Sequence, residues 1–320
     1  MPAMGTILIT GANAGLGKEA ARLLAAVPGV RKIILGCRNQ AKAMAAKAEL
    51  EAATGAEIFE FVRIDTTDLD VVRAAVRELP ERIDGLILNA GGAGGPEGHL
   101  LTQDGVTGAF AVNVLGHAAL VEGLIAARKL RGTVIYVGSE AARGIPGGAP
   151  RPDLKTSSVD EFATIADGSV LPRFNTMTNY GLVKYMGTMW AGSMARRHPE
   201  IRFVVVSPGA TAGTKAADDM TPLRGFFFGR VAMPMMRLFG WAHGVEEGAE
   251  RYVTVLLDDA YATGRFYASV PPGTSGALVD QSPYFEDLTN HQFQDHAYQA
   301  LQRFLRTEPA ATGRGDHAAH

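Results

Sequence analysis

The stretch TGANAGLGKEAARLL, residues 10–24, decides the fold. It follows a short β-branched run, and its small glycine-rich part precedes an Ala/Leu-rich segment with the composition of a helix. Gly11, Gly15 and Gly17 fall at the predicted turn from strand to helix, where the absence of Cβ atoms lets a backbone approach a pyrophosphate. A helix N-terminus also offers unpaired N–H groups and a positive dipole end. The stretch therefore predicts a phosphate-binding strand–turn–helix.

The glycine spacing leaves two kinds of phosphate loop to separate. It is G-x-x-x-G-x-G, which departs from the G-x-G-x-x-G of many dinucleotide enzymes, and Lys18 directly after Gly17 comes close to a nucleoside-triphosphate loop. Such a loop requires Gly at position 12 and Ser or Thr at position 19, where this chain has Ala12 and Glu19. A nucleoside triphosphatase is therefore disfavoured.

Short β-branched runs alternate with longer Ala/Leu-rich segments from the N-terminus to Val206, a pattern typical of βαβ units around a parallel sheet. We predict a single α/β domain over residues 1–306 and a disordered tail over 307–320. The predicted strands are 6–10, 32–36, 58–64, 85–88, 133–137 and 202–206, with a seventh in GRFYASV. The predicted helices are 16–26, 40–53, 69–78, 105–127, 176–197 and 245–257, with a last one in FQDHAYQALQRFLRT.

Composition limits the partners and the compartment. The chain has 320 residues, a formal net charge of −2 and no basic tract, so no nucleic-acid partner is expected. Cys37 is the sole cysteine, which excludes a disulfide within the chain and fits a reducing cytoplasm. No leader-like N-terminus, uninterrupted apolar run of membrane-spanning length or metal-ligand motif is evident, so we expect a cytoplasmic protein without a metal.

The stretch NYGLVKYMGTMWAG, residues 179–192, places Tyr180 and Lys184 four residues apart in a predicted helix. This spacing sets both side chains on one face, about 5–6 Å apart at Cβ. A phenol and an ammonium can then share one site. The pattern alone is common, and its alternative is a helix with a buried Tyr and a Lys that reaches solvent.

Six ordered motifs together resemble the short-chain dehydrogenase/reductase family over about residues 5–270. They are TGANAGLG, LNAGG at 88–92, Asn113 in VNVLGH, Ser139 in VGSEA, YGLVK at 180–184 and SPG at 207–209. The resemblance implies a single-domain Rossmann fold, a doubly wound parallel sheet of about seven strands with helices on both faces. The long segment after Ser139 and the GCRN sequence most resemble the branch that holds the retinol dehydrogenases and the light-dependent protochlorophyllide reductases.

The chemistry of carbonyl reduction gives the motif residues their expected roles. Hydride transfer to a carbonyl leaves an alkoxide that needs a proton, and a neighbouring ammonium lowers the pKa of a phenol. Tyr180 is the expected proton donor, Lys184 its electrostatic tuner and Ser139 a donor to the carbonyl oxygen. By resemblance, Lys184 also holds the nicotinamide ribose, and Asn113 positions a water that links Lys184 to solvent. Ser139 and Asn113 have ordinary alternatives, a strand-end hydroxyl and a helix residue bonded to backbone.

The residues after the second strand predict the cofactor. An acidic side chain there binds a ribose 2′-hydroxyl and a basic one a 2′-phosphate; the sequence IILGCRNQ has no acid and has Arg38, which favours NADP(H) over NAD(H). The alternative is that Arg38 is a solvated surface residue. Asp65 is expected to contact the adenine, unless it or Thr67 caps the next helix, and Thr211 or Thr214 the carboxamide. The expected cofactor set is Gly11, Asn13, Ala14, Gly15, Leu16, Gly17, Arg38, Asn39, Asp65, Thr66, Asn89, Ala90, Gly91, Pro208, Gly209, Thr211 and Thr214.

Two segments are expected to shape the substrate site. The insert 140–179 is longer than the loop most family members have, and it forms either a wall of the substrate pocket or a surface elaboration. The segment 210–244 corresponds to a substrate lid, rich in Phe and Met from Phe226 to Trp241 and flanked by arginines, which favours a small hydrophobic substrate and also admits weak contact with a membrane surface. A monomer and a homodimer both remain open.

The expected activity is NADPH-dependent reduction of a bulky hydrophobic aldehyde or ketone, or the reverse oxidation. Protochlorophyllide reductases typically carry a cysteine after Pro-Gly, where this chain has Ala210, so carbon–carbon double-bond reduction is the second choice. A non-catalytic NADP(H)-sensing module is a further alternative. Such a module has no need of the complete Ser139, Tyr180 and Lys184 set.

Overall fold

The molecule is built on one eight-stranded sheet. A computed structural model describes residues 4–95, 97–171, 173, 175–211 and 242–305. The strands, in chain order, are β1 (Thr6–Thr10), β2 (Lys32–Cys37), β3 (Phe59–Arg63), β4 (Ile83–Leu88), β5 (Leu130–Val137), β6 (Ile201–Val206), β7 (Phe266–Ser269) and β8 (Leu278–Asp280). Their order in the sheet is β3-β2-β1-β4-β5-β6-β7-β8. The predicted α/β fold with a mostly parallel sheet is confirmed.

The strand order reverses between β1 and β4, which is where a doubly wound sheet opens a crevice at the carboxyl ends of its strands. Strands β1 to β7 pair in parallel, and β8 adds to β7 in the antiparallel direction. The sheet of about seven expected strands thus gains one short antiparallel strand at its edge. Strand β8 has three residues, too few to show an alternating pattern in the sequence.

The helices cover both faces of the sheet. They are α1 (Gly15–Ala25), α2 (Gln40–Thr54), α3 (Leu69–Glu78), α4 (Gly116–Ala126), α5 (Val159–Ala166), α6 (Thr176–Arg197), α7 (Val245–Leu257) and α8 (His291–Leu305). Because side chains alternate along a strand, β1 sends Ile7 and Ile9 to one apolar layer and Leu8 to the other, and all three are fully buried. Burial on both faces explains why the Ile7–Ile9 run of β1 is continuously apolar.

The predicted helix 105–127 is interrupted in the structure. A short turn, Gly108–Phe110, and a π-helical segment, Ala111–Leu115, precede α4. A Cβ on Gly116 would lie 2.1 Å from the Thr66 carbonyl oxygen, so this glycine permits close packing on the loop after β3. The stretch Gly108–Ala126 is apolar and long enough to cross a membrane, but it is mostly buried in the molecule, as in the core helix of a globular protein.

Helix α6 forms the centre of the layer that carries the catalytic candidates. It begins after Asn175, whose side chain accepts the Thr178 N–H at 3.0 Å, and it ends at Arg197 as predicted. Helices α5 and α8 pack against it, so nearly all of α6 beyond its first turn is buried. The insert contributes to this layer through α5 and a short 3₁₀ helix, Glu140–Arg143.

Candidate active site

The glycine-rich turn joins β1 to α1 in a form that suits a phosphate group. Gly11 and Gly15 adopt φ values of +68° and +55°, the left-handed region that favours glycine. Helix α1 starts at Gly15, and its N-cap residue Ala14 makes no side-chain hydrogen bond to the first turn. A Cβ on Gly15 would meet no atom of the described chain within 4 Å. The turn therefore presents a helix N-terminus to an open approach, which fits a pyrophosphate.

Other residues of the predicted cofactor set hold the glycine-rich turn against the end of β4. The Asn89 amide donates to the Thr10 and Gly11 carbonyl oxygens at 2.9 and 3.3 Å, and the Ala90 N–H donates to the Thr10 hydroxyl at 3.0 Å. A Cβ on Gly17 would lie 2.5 Å from the Asn89 amide nitrogen, so only glycine fits there without a shift. Asn13, Ala14 and Leu16 are half-buried in the same turn.

The residues predicted to meet the adenosine end follow β2 and β3. Arg38 is exposed just after β2, and the Asn39 side chain accepts the Lys42 N–H at 2.9 Å as the N-cap of α2. Asp65 accepts the N–H and the hydroxyl of Thr67, at 3.1 and 2.7 Å. The suggestion that Asp65 or Thr67 caps the next helix is wrong, because Asp68 caps α3. Thr66, the last of this predicted group, is buried.

Tyr180 and Lys184 lie together on α6, facing the end of β5. The Lys184 ammonium nitrogen is 5.7 Å from the centre of the Tyr180 ring, and it donates to the Val137 carbonyl oxygen at 2.8 Å. Lys184 is 3% exposed, and this burial lowers the pKa of its amino group to about 7. Near neutral pH, Lys184 in the protein without a bound nucleotide is therefore divided between ammonium and amine.

Ser139 follows Val137 by two residues, so its hydroxyl lies at the same edge of the sheet. It is the N-cap of the 3₁₀ helix, and its oxygen accepts the Ala141 N–H at 3.2 Å. This bond occupies an acceptor position only, so the hydroxyl proton can still be donated to a substrate oxygen.

The Asn113 side chain is held by backbone on all sides. Its amide nitrogen donates to the Gly92 and Ala109 carbonyl oxygens, both at 2.7 Å, and its oxygen accepts the Gly92 N–H at 3.2 Å. A Cβ on Gly91 would lie 2.5 Å from the Asn113 side-chain oxygen and 3.5 Å from the Lys184 nitrogen. The segment after β4 therefore passes directly beside Asn113 and Lys184. The alternative expected for Asn113, a helix residue bonded to backbone, describes these contacts.

His117 is a buried member of this region that the sequence did not single out. One ring nitrogen, Nδ1, lies 3.1 Å from the Asn113 carbonyl oxygen, and the other, Nε2, lies 2.9 Å from the Thr10 hydroxyl. A carbonyl only accepts, so we assign the proton to Nδ1 and the Thr10 proton to the bond with Nε2. Burial lowers the pKa of His117 to about 3. Its spacing of four residues from Asn113 was the one available signal.

The loop after β6 carries the last predicted cofactor residues. Gly209 has φ +77°, its N–H donates to the Ser207 hydroxyl at 3.2 Å, and Pro208 lies between them. The Thr211 hydroxyl donates within this loop, 3.2 Å from the Gly209 carbonyl oxygen. Thr214 and the Phe- and Met-rich part of the predicted lid, including Phe226 and Trp241, lie outside the described residues, as does the tail 307–320.

The start of the insert forms one side of a cavity of about 520 Å³. A Cβ on Gly181, the residue after Tyr180, would lie 3.0 Å from the Ala141 carbonyl oxygen and 3.7 Å from that of Pro150. The insert therefore runs against α6 beside the tyrosine. The cavity walls are mainly apolar, from Ile145, Pro146, Ala149, Pro271, Pro272 and Phe285.

Comparison with known proteins gives consistent relatives. The family model for short chain dehydrogenase matches residues 5–150. The short-chain dehydrogenase/reductase ffsI of Aspergillus flavipes is 36% identical over 283 residues, 86% of this chain and 79% of that protein. Retinol dehydrogenase 13 of Homo sapiens is 38% identical over 123 residues, 38% of this chain and 36% of that enzyme's length. The NADPH-bound carbonyl reductase from chicken fatty liver has the same fold, with a TM-score of 0.54 and 18% identity over 83% of this chain and 96% of that one.

Proposed function

Because this chain belongs to the short-chain dehydrogenase/reductase family, we propose that it is an NADPH-dependent oxidoreductase that reduces the carbonyl group of a hydrophobic aldehyde or ketone, or oxidises the corresponding alcohol. The observation that carries the proposal is the convergence of Ser139, Tyr180 and Lys184 at the carboxyl end of β5. The glycine-rich turn after β1 lies at the same edge of the sheet.

The residues at the switch point fit a dinucleotide. The uncapped N-terminus of α1 and the glycines at 11 and 15 would hold the pyrophosphate, and Asn89 to Gly91 would line the nucleotide beside β4. Pro208, Gly209 and Thr211 would contact the nicotinamide end. When bound, the nicotinamide supplies or accepts the hydride at the substrate carbon.

The chain's own side chains handle the oxygen and the proton. Ser139 donates a hydrogen bond to the carbonyl oxygen, where negative charge develops as the hydride arrives. Tyr180 then gives its phenolic proton to that oxygen, and one C=O group becomes CH–OH. Lys184 in its ammonium form favours the phenolate that remains. Oxidation of an alcohol uses the same groups in the reverse order.

Two finer parts of the proposal concern the cofactor and the substrate. Arg38 would bind the 2′-phosphate of NADP(H), a role supported by its exposed position after β2 and by the absence of an acid there. The apolar cavity supports a bulky hydrophobic substrate, because one of its lining residues, Pro150, packs against Gly181, the residue after Tyr180, and the insert forms one wall. These two features are the reason for proposing an NADPH-dependent carbonyl reductase rather than the broader family activity alone.

The test is the initial rate of NADPH oxidation, and separately of NADH oxidation, with a panel of hydrophobic aldehydes, ketones and quinones. Tyr180→Phe is expected to lower kcat by about 10²- to 10⁴-fold, because it removes the proton donor. Tyr185→Phe is the matched control on the same helix, since it also removes one phenolic hydroxyl, which donates to the Asp287 carboxylate at 2.9 Å. Wild-type turnover in Tyr180→Phe would refute the proposed role.

A further inference from the structure

A buried carboxylate, Glu140, connects the carboxyl ends of three neighbouring strands. It directly follows Ser139 after β5, and it is 3% exposed. One of its oxygens accepts the hydroxyl of Ser207, which follows β6. The other accepts the hydroxyl of Ser269, the last residue of β7, at 3.1 Å. Each carboxylate oxygen thus fixes a different strand end.

Arg251 of α7 completes this cluster from the other side. Its guanidinium lies 3.8 Å from the Glu140 carboxylate and donates to the Ser207 carbonyl oxygen and the Ser269 hydroxyl, both at 3.2 Å. It also donates to the Gly276 carbonyl oxygen at 2.7 Å. Each serine hydroxyl donates to the carboxylate and accepts from a neighbour, so the directions of these bonds are all defined.

The position of the cluster relates two parts of the proposed site. Ser139 is the expected donor to the substrate oxygen, and the Ser207 hydroxyl accepts the Gly209 N–H at 3.2 Å in the loop expected to meet the nicotinamide. The separation of these two parts sets the distance over which a hydride must move. A rigid, fully bonded buried network holds such a separation more closely than solvated loops do.

We propose that Glu140, held by Arg251, is a positioning residue that fixes the Ser207–Gly209 loop relative to Ser139, and so sets substrate and cofactor at their reacting distance. This inference rests on the proposed function for its effect on turnover. It also makes a prediction about cofactor binding that does not require turnover.

The central experiment compares Glu140→Gln with wild type. The glutamine keeps the size but replaces one acceptor oxygen by an amide N–H₂, so at least one serine hydroxyl or guanidinium loses its acceptor and the network no longer fixes the loop in a single position. We expect kcat to fall about 10²-fold and the primary isotope effect with deuterated NADPH to increase. NADPH affinity, measured by fluorescence titration, is expected to fall about tenfold, which corresponds to one lost hydrogen bond.

The matched control is Asp84→Asn. The Asp84 carboxylate is also buried and also joins two strands, since it accepts the Gly5 and Thr6 N–H groups at 2.9 Å, but it lies at the opposite end of the sheet. The Asp84→Asn variant is expected to be less stable than wild type, with no more than about a twofold change in kcat and in NADPH affinity. An equal loss of turnover in both variants would overturn the inference.

A double variant separates positioning from stability. Replacing a buried ion pair by apolar residues of similar size is often neutral, whereas removing one partner is strongly destabilising. Glu140→Leu with Arg251→Met is therefore expected to regain part of the melting temperature lost in Glu140→Leu, while kcat stays about 10²-fold low. Full recovery of kcat would show that the pair is merely structural.

These experiments distinguish a failure of this inference from a failure of the proposed function. If wild type oxidises no NADPH with any substrate, the proposed function fails. In that case a tenfold weaker NADPH affinity in Glu140→Gln, but not in Asp84→Asn, still supports positioning of the loop. Wild-type NADPH affinity in Glu140→Gln would overturn the inference.

Discussion

Replacing Lys184 by Met should change how the stability of the protein depends on pH. The Lys184 amino group is fully buried, and desolvation lowers its pKa from 10.5 to about 7. Between these two values the unfolded chain holds a proton that the folded chain does not, so the free energy of unfolding rises with pH. The contribution is complete above pH 10.5 and is lost as the pH falls through about 7.

The size of the effect follows from the shift. Each pH unit between the folded and unfolded pKa values is worth about 1.4 kcal/mol, so the wild type should gain about 3 kcal/mol from pH 7 to pH 9.5 relative to Lys184→Met. The variant lacks the titrating group, and the difference between the two proteins removes the contributions of all other groups. Below pH 7 the variant should be the more stable protein, because the wild type then buries an ammonium.

The assay is urea unfolding of both proteins, without added nucleotide, at several pH values from 6 to 9.5. A parallel pair of stability curves, with a constant difference across this range, would contradict the lowered pKa of Lys184. It would show that Lys184 keeps an ordinary pKa in the folded protein. The result also bears on the proposed mechanism, in which the ammonium form of Lys184 lowers the pKa of Tyr180.

Three other residues give independent predictions. Arg38→Asp should lower kcat/KM for NADPH about 10²-fold and reduce the preference over NADH, as expected for two lost charge-assisted hydrogen bonds; unchanged preference in steady-state kinetics would exclude a phosphate contact. His117→Gln should remove a stability loss of about 3 kcal/mol between pH 6.5 and pH 4, because burial lowers the His117 pKa to about 3 and only the unfolded chain is protonated there; unfolding in urea at both pH values tests this. Cys37 is buried and its pKa is raised to about 11 by desolvation, so a chromogenic disulfide reagent at pH 8 should label it only after denaturation.

Local signals predicted most of the fold. The bounds of α3, α6 and α7 agree to the residue with those expected from sequence. Two of these helices begin at a capping side chain, Asp68 for α3 and Asn175 for α6. The ends of a helix depend on the few residues around them, so composition and capping side chains can predict these ends from the sequence.

The features that sequence missed depend on contacts between distant segments. The π-helical segment around Asn113 is held by Gly92, which precedes it by 21 residues, and by His117 bonded to Thr10 of β1. Strand β8 exists because it pairs with β7. No period or propensity within either segment records such partners.

The candidate site was likewise predicted in part, since some of its residues belong to sequence motifs and others depend on contacts between distant segments. Ordered motifs brought Ser139, Tyr180 and Lys184 into one predicted site, and the structure gathers them at the end of β5. Glu140 and Arg251 could not be paired from sequence, because they lie on different elements and no motif contains both. The pKa of Lys184 likewise depends on burial by the whole fold.

The most direct test of the proposed function follows the hydride itself. NADPH deuterated at the transferred position is incubated with a substrate that turns over. The position of the deuterium in the product is then determined by mass spectrometry and NMR. We expect one deuterium on the carbinol carbon in wild type, with formation about 10²- to 10⁴-fold slower in Tyr180→Phe. Deuterium on a carbon of a former carbon–carbon double bond would contradict carbonyl reduction. Transfer at the wild-type rate in Tyr180→Phe would contradict the role of Tyr180 as the proton donor.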